Sequence, residues 1–218
     1  MSLWTLAYFI FLIATIFTAD PARPRSTLNY TELGMFPLII MVMTLLLGRE
    51  FGGNGMEILA TYPISLRWLA FRKWLLAIGL TLLANLGWML CYILYFGKLR
   101  SSLYMWDGSD KIVSENALIP LFIQGLPAYL LVVSLVLCGT IIFQKTYGGL
   151  LFGFTYWIMD TLSSGQLLFP FSLYSNFLVH DHQFTGNRVA LLLAAVLLLG
   201  IALWLVGRRE RWIGREEE

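Results

Sequence analysis

Apolar residues along this chain run in long unbroken blocks rather than alternating with polar ones. Six blocks stand out, at Leu3–Thr18, Leu33–Leu47, Trp74–Tyr95, Ala117–Phe143, Tyr147–Thr161 and Val189–Val206. Each approaches the roughly 20 residues that a helix needs to cross a bilayer. A backbone in lipid must satisfy its own polar groups, so only helices or a closed barrel can span it. Continuous apolar runs select helices. The fold expected is all-α: a polytopic integral membrane protein with six transmembrane helices, forming one domain over residues 1–218. The first block lacks a basic lead and a small-residue cleavage site, so it reads as a retained span and not a signal peptide.

Composition strengthens this picture. The chain is 58% hydrophobic and only 13% charged, with mean hydropathy +0.73. Soluble domains carry about 25% charged residues. The net charge of +2 is dispersed along the chain, which gives no nucleic-acid footprint. Cys91 and Cys138 each sit inside an apolar block and read as small buried hydrophobes.

The distribution of Lys and Arg sets an orientation. With the amino terminus inside, nine basic residues fall on the inner side: Arg49, Arg67, Arg72, Lys73, Lys145, Arg208, Arg209, Arg211 and Arg215. Six fall outside: Arg23, Arg25, Lys98, Arg100, Lys111 and Arg188. Both termini are therefore expected inside, and the connections Ala19–Glu32, Gly97–Asn116 and Leu162–Arg188 outside. Gln144–Thr146 is expected to be a tight inner turn. The outer stretch Leu162–Asp181 is too apolar for a free loop and too short to cross twice, with Pro170 to break any helix. It reads either as two re-entrant half-helices or as a surface loop with an aromatic belt.

One inner connection is long, charged and amphipathic: Arg49–Lys73. Gly52, Gly53, Asn54 and Gly55 separate it from the second span. Met56–Thr61 can form a short helix, which Pro63 stops by pushing Tyr62 out of helical geometry. Ser65 is placed to cap a second helix. That helix mixes Arg67, Arg72 and Lys73 with Trp68, Leu69 and Phe71, a composition suited to a membrane surface.

In this loop the chain resembles the type-2 permeases of ATP-binding-cassette (ABC) transporters. Arg49-Glu50 opens it, Glu57 and Leu59 follow, Pro63 lies six residues after Glu57, Ser65 comes next and Lys73 closes it. Asn54-Gly55 stands where that family usually has Gly-Thr, and Arg72 stands where it has Gly. The final block, ending in Gly207-Arg208-Arg209, is similar too. The resemblance implies a cytosolic coupling helix between the second and third spans, seated on a separate ATPase subunit. Glu50, Glu57, Leu59, Pro63, Ser65 and Arg67 would then lie at or near that contact. Taken singly, Glu57 and Arg67 read equally well as solvated loop charges. The family pattern also implies two ATPase copies, a second permease chain (the same or similar), ATP and Mg in the ATPase and no cofactor here, and a multi-pass place in a bacterial plasma membrane.

Motifs for other chemistry are missing from the sequence. There is no phosphate-binding G-x-x-x-x-G-K-[ST], no H-E-x-x-H and no G-x-S-x-G. His180-Asp181-His182 lacks a further ligand nearby and reads as a hydrated outer loop, so no metal is expected. Asn29-Tyr30-Thr31 fits a glycosylation pattern that has meaning only on a eukaryotic secretory route.

Asp160 is the one charge expected within the spans, near their outer end. A carboxylate at mid-depth costs about 2.5–3.5 kcal/mol. Scarce buried charge argues against proton coupling and favours an outside energy source with a lipophilic or amphiphilic cargo, for export. Asn85, Gln124, Ser134, Thr155 and Ser164 are candidates to line a path or to hydrogen-bond between helices. Pro120 and Pro127, flanking Gln124, are expected to interrupt the fourth span as a hinge or a static kink. Gly149 and Gly153 form a G-x-x-x-G packing face, between chains or within one. The competing functions are a membrane-embedded lipid-modifying enzyme and a non-transporting scaffold or immunity subunit.

Overall fold

A computed structural model describes residues 2–19, 26–51, 55–102, 113–115, 118–174 and 181–212. Seven α-helices follow in chain order: α1 (Ser2–Phe17), α2 (Met35–Phe51), α3 (Gly55–Thr61), α4 (Leu66–Phe96), α5 (Leu118–Phe143), α6 (Thr146–Leu162) and α7 (Asp181–Val206). A π-helical turn, Asn29–Gly34, leads directly into α2. A small antiparallel ribbon pairs β1 (Arg100–Ser102) with β2 (Val113–Glu115), Arg100 opposite Glu115, where the sequence suggested only a connection.

The protein is a helical membrane protein. Among the described residues, four helices are long and apolar enough to cross a bilayer: Asn29–Phe51, Leu66–Phe96, Leu121–Phe143 and Gln183–Val206. The apolar stretch Leu3–Phe17 is shorter, and α6 has 17 residues, roughly 25 Å of helix. All six apolar blocks coincide with helices, but three helices outgrow their blocks. The second begins at Asn29 instead of Leu33, the third absorbs the interfacial segment from Leu66, and the last starts at Asp181 instead of Val189.

The bundle is built around α5. Every residue from Leu131 to Ile141 is buried, and α5 packs on α2, α4, α6 and α7. By contrast, only 22% of the α7 span is buried, against 67% for those of α2 and α5. Its Val189, Leu192 and Val196 are exposed. Such a continuous apolar face needs lipid as its solvent.

Glycines bring α6 close to α5. A Cβ on Gly149 would lie 2.2 Å from Thr140 Oγ1 and 2.8 Å from the Val136 carbonyl. One on Gly153 would lie 2.8 Å from Val136 Cγ2 and 2.9 Å from Ile40 Cγ1. The G-x-x-x-G face is thus occupied within the chain, by α5 and α2. The α5–α6 turn consists of Gln144 and Lys145, with Thr146 already helical. The helix α5 continues through Pro127. Pro120 falls in its first turn, where a missing N–H costs no intrahelical bond.

Gly149→Ala should cost about 1–3 kcal/mol by overpacking. Thermal unfolding in detergent should show a lower midpoint than for Gly79→Ala, since Gly79 has open space around its would-be Cβ.

Candidate functional site

At one end of the bundle, α3 and the start of α4 form an elbow. Its inner side is locked in place. Lys73 pairs with Glu50 and also donates to the Leu46 carbonyl, so the second turn of α4 is held against the end of α2. Met56 and Ala60, one turn apart on α3, are buried, as are Leu66 and Ala70 on α4. The turn between them is set by Pro63 and Ser65. Ser65 Oγ accepts from the Trp68 N–H at 3.4 Å and caps α4.

The outer side of the elbow is different in kind. Ile58, Tyr62 and Trp68 are 57%, 54% and 62% exposed, and Glu57, Pro63, Ile64, Arg67 and Arg72 are exposed beside them. Of the six residues suggested by the sequence, Glu57, Pro63 and Arg67 face outward, Leu59 is half-buried, Glu50 points inward to Lys73, and Ser65 serves as the cap. Ile58 and Tyr62 were missed as surface residues, while Trp68, read from the sequence as suited to a membrane surface, lies beside them. The i, i+4 spacing of Met56 and Ala60 was the signal that could have fixed which side of α3 faces out.

The opposite end carries buried charge. Asp160 is 0% exposed. Its Oδ2 accepts from the Leu173 N–H at 2.7 Å and from Ser172 Oγ at 3.2 Å. Glu32 and Arg188, counted as outer loop charges in the sequence, are buried inside helical segments with Glu32 Oε1 3.9 Å from Arg188 Nη2. The bundle therefore holds more charge than expected. Asn187 donates to the carbonyls of Pro170 (2.7 Å) and Ser172 (3.0 Å), and Tyr156 donates to that of Phe171 at 2.7 Å.

These side chains all grip one strand of irregular backbone. Residues Ser163–Tyr174 form turns and bends rather than re-entrant half-helices, and Ser172, Leu173 and Tyr174 are buried. The Tyr174 hydroxyl lies 2.8 Å from Thr161 Oγ1 and ties the end of this segment back to α6. Residues 175–180, including His180, lie outside the described set.

Between α5, α6 and α7, beside this segment, lies an open groove of ≈ 650 Å³. Its wall is almost wholly apolar, with Leu135, Leu168, Phe169, Leu193 and Leu197 among the lining residues and Tyr156 the one polar side chain. The volume is that of a small-molecule site, but the lining suits only hydrocarbon. Asn85, Gln124, Ser134, Thr155 and Ser164 do not line it. Asn85 accepts from Trp88 at 2.7 Å, Ser134 accepts from Trp74 at 3.0 Å, Gln124 is half-buried on α5, and Thr155 and Ser164 are exposed. Among the described residues no group of three or more His, Cys, Asp or Glu could hold a metal.

Arg188→Met should destabilise the bundle by about 3–5 kcal/mol, because Glu32 loses its counter-charge in a buried setting. Adding Glu32→Gln should recover part of that loss, as read by thermal unfolding in detergent. Asp160→Ala, which strips the Leu173 N–H of its acceptor, should cost about 1–3 kcal/mol by the same measurement.

No known family model, curated protein or solved structure matches this chain.

Proposed function

We propose that this chain is the membrane-spanning permease subunit of an ABC exporter for a lipophilic or amphiphilic cargo. All six apolar helices cross the bacterial plasma membrane in this reading, with both termini and the elbow in the cytoplasm. The chain works with a second permease chain, the same or similar, and with two separate ATPase subunits that carry ATP and Mg.

The elbow carries this reading. A loop fixed on its inner side by Glu50–Lys73 and left apolar and aromatic on its outer side has the form of a contact made for another protein. Interface hot spots favour Trp and Tyr anchors with charges nearby, and Trp68, Tyr62 and Glu57 supply them. The apolar groove fits a cargo with hydrocarbon character. A lipid-modifying enzyme would need a catalytic carboxylate or nucleophile facing such a groove. Asp160 instead spends its Oδ2 on the backbone and hydroxyl of the segment beside it.

Mechanistically, the groove must present different affinities in two bundle states, and the elbow must contact the ATPase differently in each. ATP binding then selects one state and hydrolysis releases it.

Purification in mild detergent should bring a P-loop ATPase in equal amount. Trp68→Ala should weaken that association by about 30-fold, the effect of losing a hot spot of about 2 kcal/mol, and Glu57→Arg should reduce it while leaving the fold intact. A wild-type chain that carries no ATPase, or an Ile64→Cys variant labelled only from outside the cell, would refute the reading.

A further inference from the structure

The chain does not end its ordered path at α7. Gly207 to Trp212 lies against the elbow and the end of α2, touching the elbow at two places and α2 at a third. Arg209 Nη2 donates to the Ile64 carbonyl at 2.8 Å, in the turn between α3 and α4. Gly207 lies under Arg67, so closely that a Cβ there would sit 2.2 Å from Nε and 2.9 Å from Cζ. The Trp212 ring meets Phe51, at the end of α2, edge-on at 5.6 Å.

These contacts differ in weight. Trp212 is buried and its Nε1 donates to the Val206 carbonyl at 3.2 Å. A buried Trp with its N–H satisfied is the strong anchor of such a segment. The Arg209 bond is exposed and contributes little by itself, but it joins the segment to the outermost part of the elbow. Gly207 gives Arg67 the room to lie flat across the chain where α7 ends.

We propose that Gly207–Trp212 is a clasp that makes α7 move with the elbow, with Trp212 as its anchor and Gly207 and Arg209 as positioning residues. Two features of α7 make this consequential. It is the least buried of the four long spans and packs mainly along α5, leaving its outer face free. It also supplies Ala190, Leu193, Ala194 and Leu197 to the wall of the apolar groove. Leu197 lies ten residues before Gly207, roughly 15 Å along a helix. A force on the elbow thus reaches the groove wall through one stiff element. This consequence for transport rests on the permease reading; the clasp itself does not.

The test uses the full chain in lipid nanodiscs, with Arg209→Ala, Gly207→Val and the double variant Gly207→Val with Arg67→Ala. Both single changes act on flexible side chains at the surface and leave the bundle packed. Hydrogen exchange in the elbow, residues 58–66, should rise about tenfold in Gly207→Val and by a smaller factor in Arg209→Ala, as local opening becomes easier. The double variant, which removes the guanidinium that the introduced valine would strike, should exchange less than Gly207→Val alone. Unchanged exchange in both single variants would overturn the clasp. In the complex with the ATPase, the single variants should keep the subunit bound while cargo-stimulated ATP hydrolysis falls. Stimulation that stays full while exchange shows the clasp open would overturn the claim that α7 follows the elbow. If the wild-type chain binds no ATPase, the permease reading fails, and the exchange measurement still decides whether the clasp exists.

Discussion

A peptide group placed at membrane depth outside a regular helix must find a partner within the protein, because lipid offers none. Most of this structure's unusual features answer that demand. Where the backbone widens into a π-turn ahead of α2, Tyr129 donates to the Thr31 carbonyl at 2.6 Å and Tyr8 to the Gly34 carbonyl at 3.0 Å. Where it abandons helix after α6, Asp160, Asn187, Arg188 and Tyr156 bind Pro170 to Leu173 from three sides. Near the end of α2, Lys73 takes the Leu46 carbonyl. Polar side chains in this bundle serve the backbone first.

That allocation bears on function. Buried charge in a membrane protein is a default sign of an ion or proton path, and Glu32, Asp160 and Arg188 would qualify by burial alone. Their contacts show another use: Asp160 and Arg188 hold irregular backbone beside the apolar groove, and Glu32 faces Arg188. The space that remains is hydrocarbon in character, and the polar residues first considered as path-lining lie elsewhere. Under the permease reading proposed above, such a bundle has little with which to couple cargo to an ion gradient, and the firmly seated elbow at the other end is where work would enter.

The two ends are linked by elements of unequal stiffness. The core helix α5 is buried along its inner length and α6 is drawn against it through Gly149 and Gly153. These form a fixed body. At the periphery, α7 packs along α5 on one face and is tied at its two ends, to the segment before it and to the elbow.

The sequence by itself determined the solvent and the local punctuation. Block length and hydropathy are summed over neighbours, so the six helices could be placed from them. Steric rules at Pro63 and capping at Ser65 act within a few residues, so the short helix, turn and long helix of the elbow could be read directly. What lay beyond it depended on partners far away in the chain. Asn29–Gly34 reads as a polar loop until Tyr129, 98 residues on, takes a carbonyl of its wide turn. Asn187 and Arg188 read as loop polarity until the segment around Ser172 arrives to be bound. The direction of the G-x-x-x-G face, the burial of Asp160, the groove and the seat of Trp212 against Phe51 were likewise decided by tertiary structure. A polar group's burial depends on who meets it, and local composition does not encode that meeting.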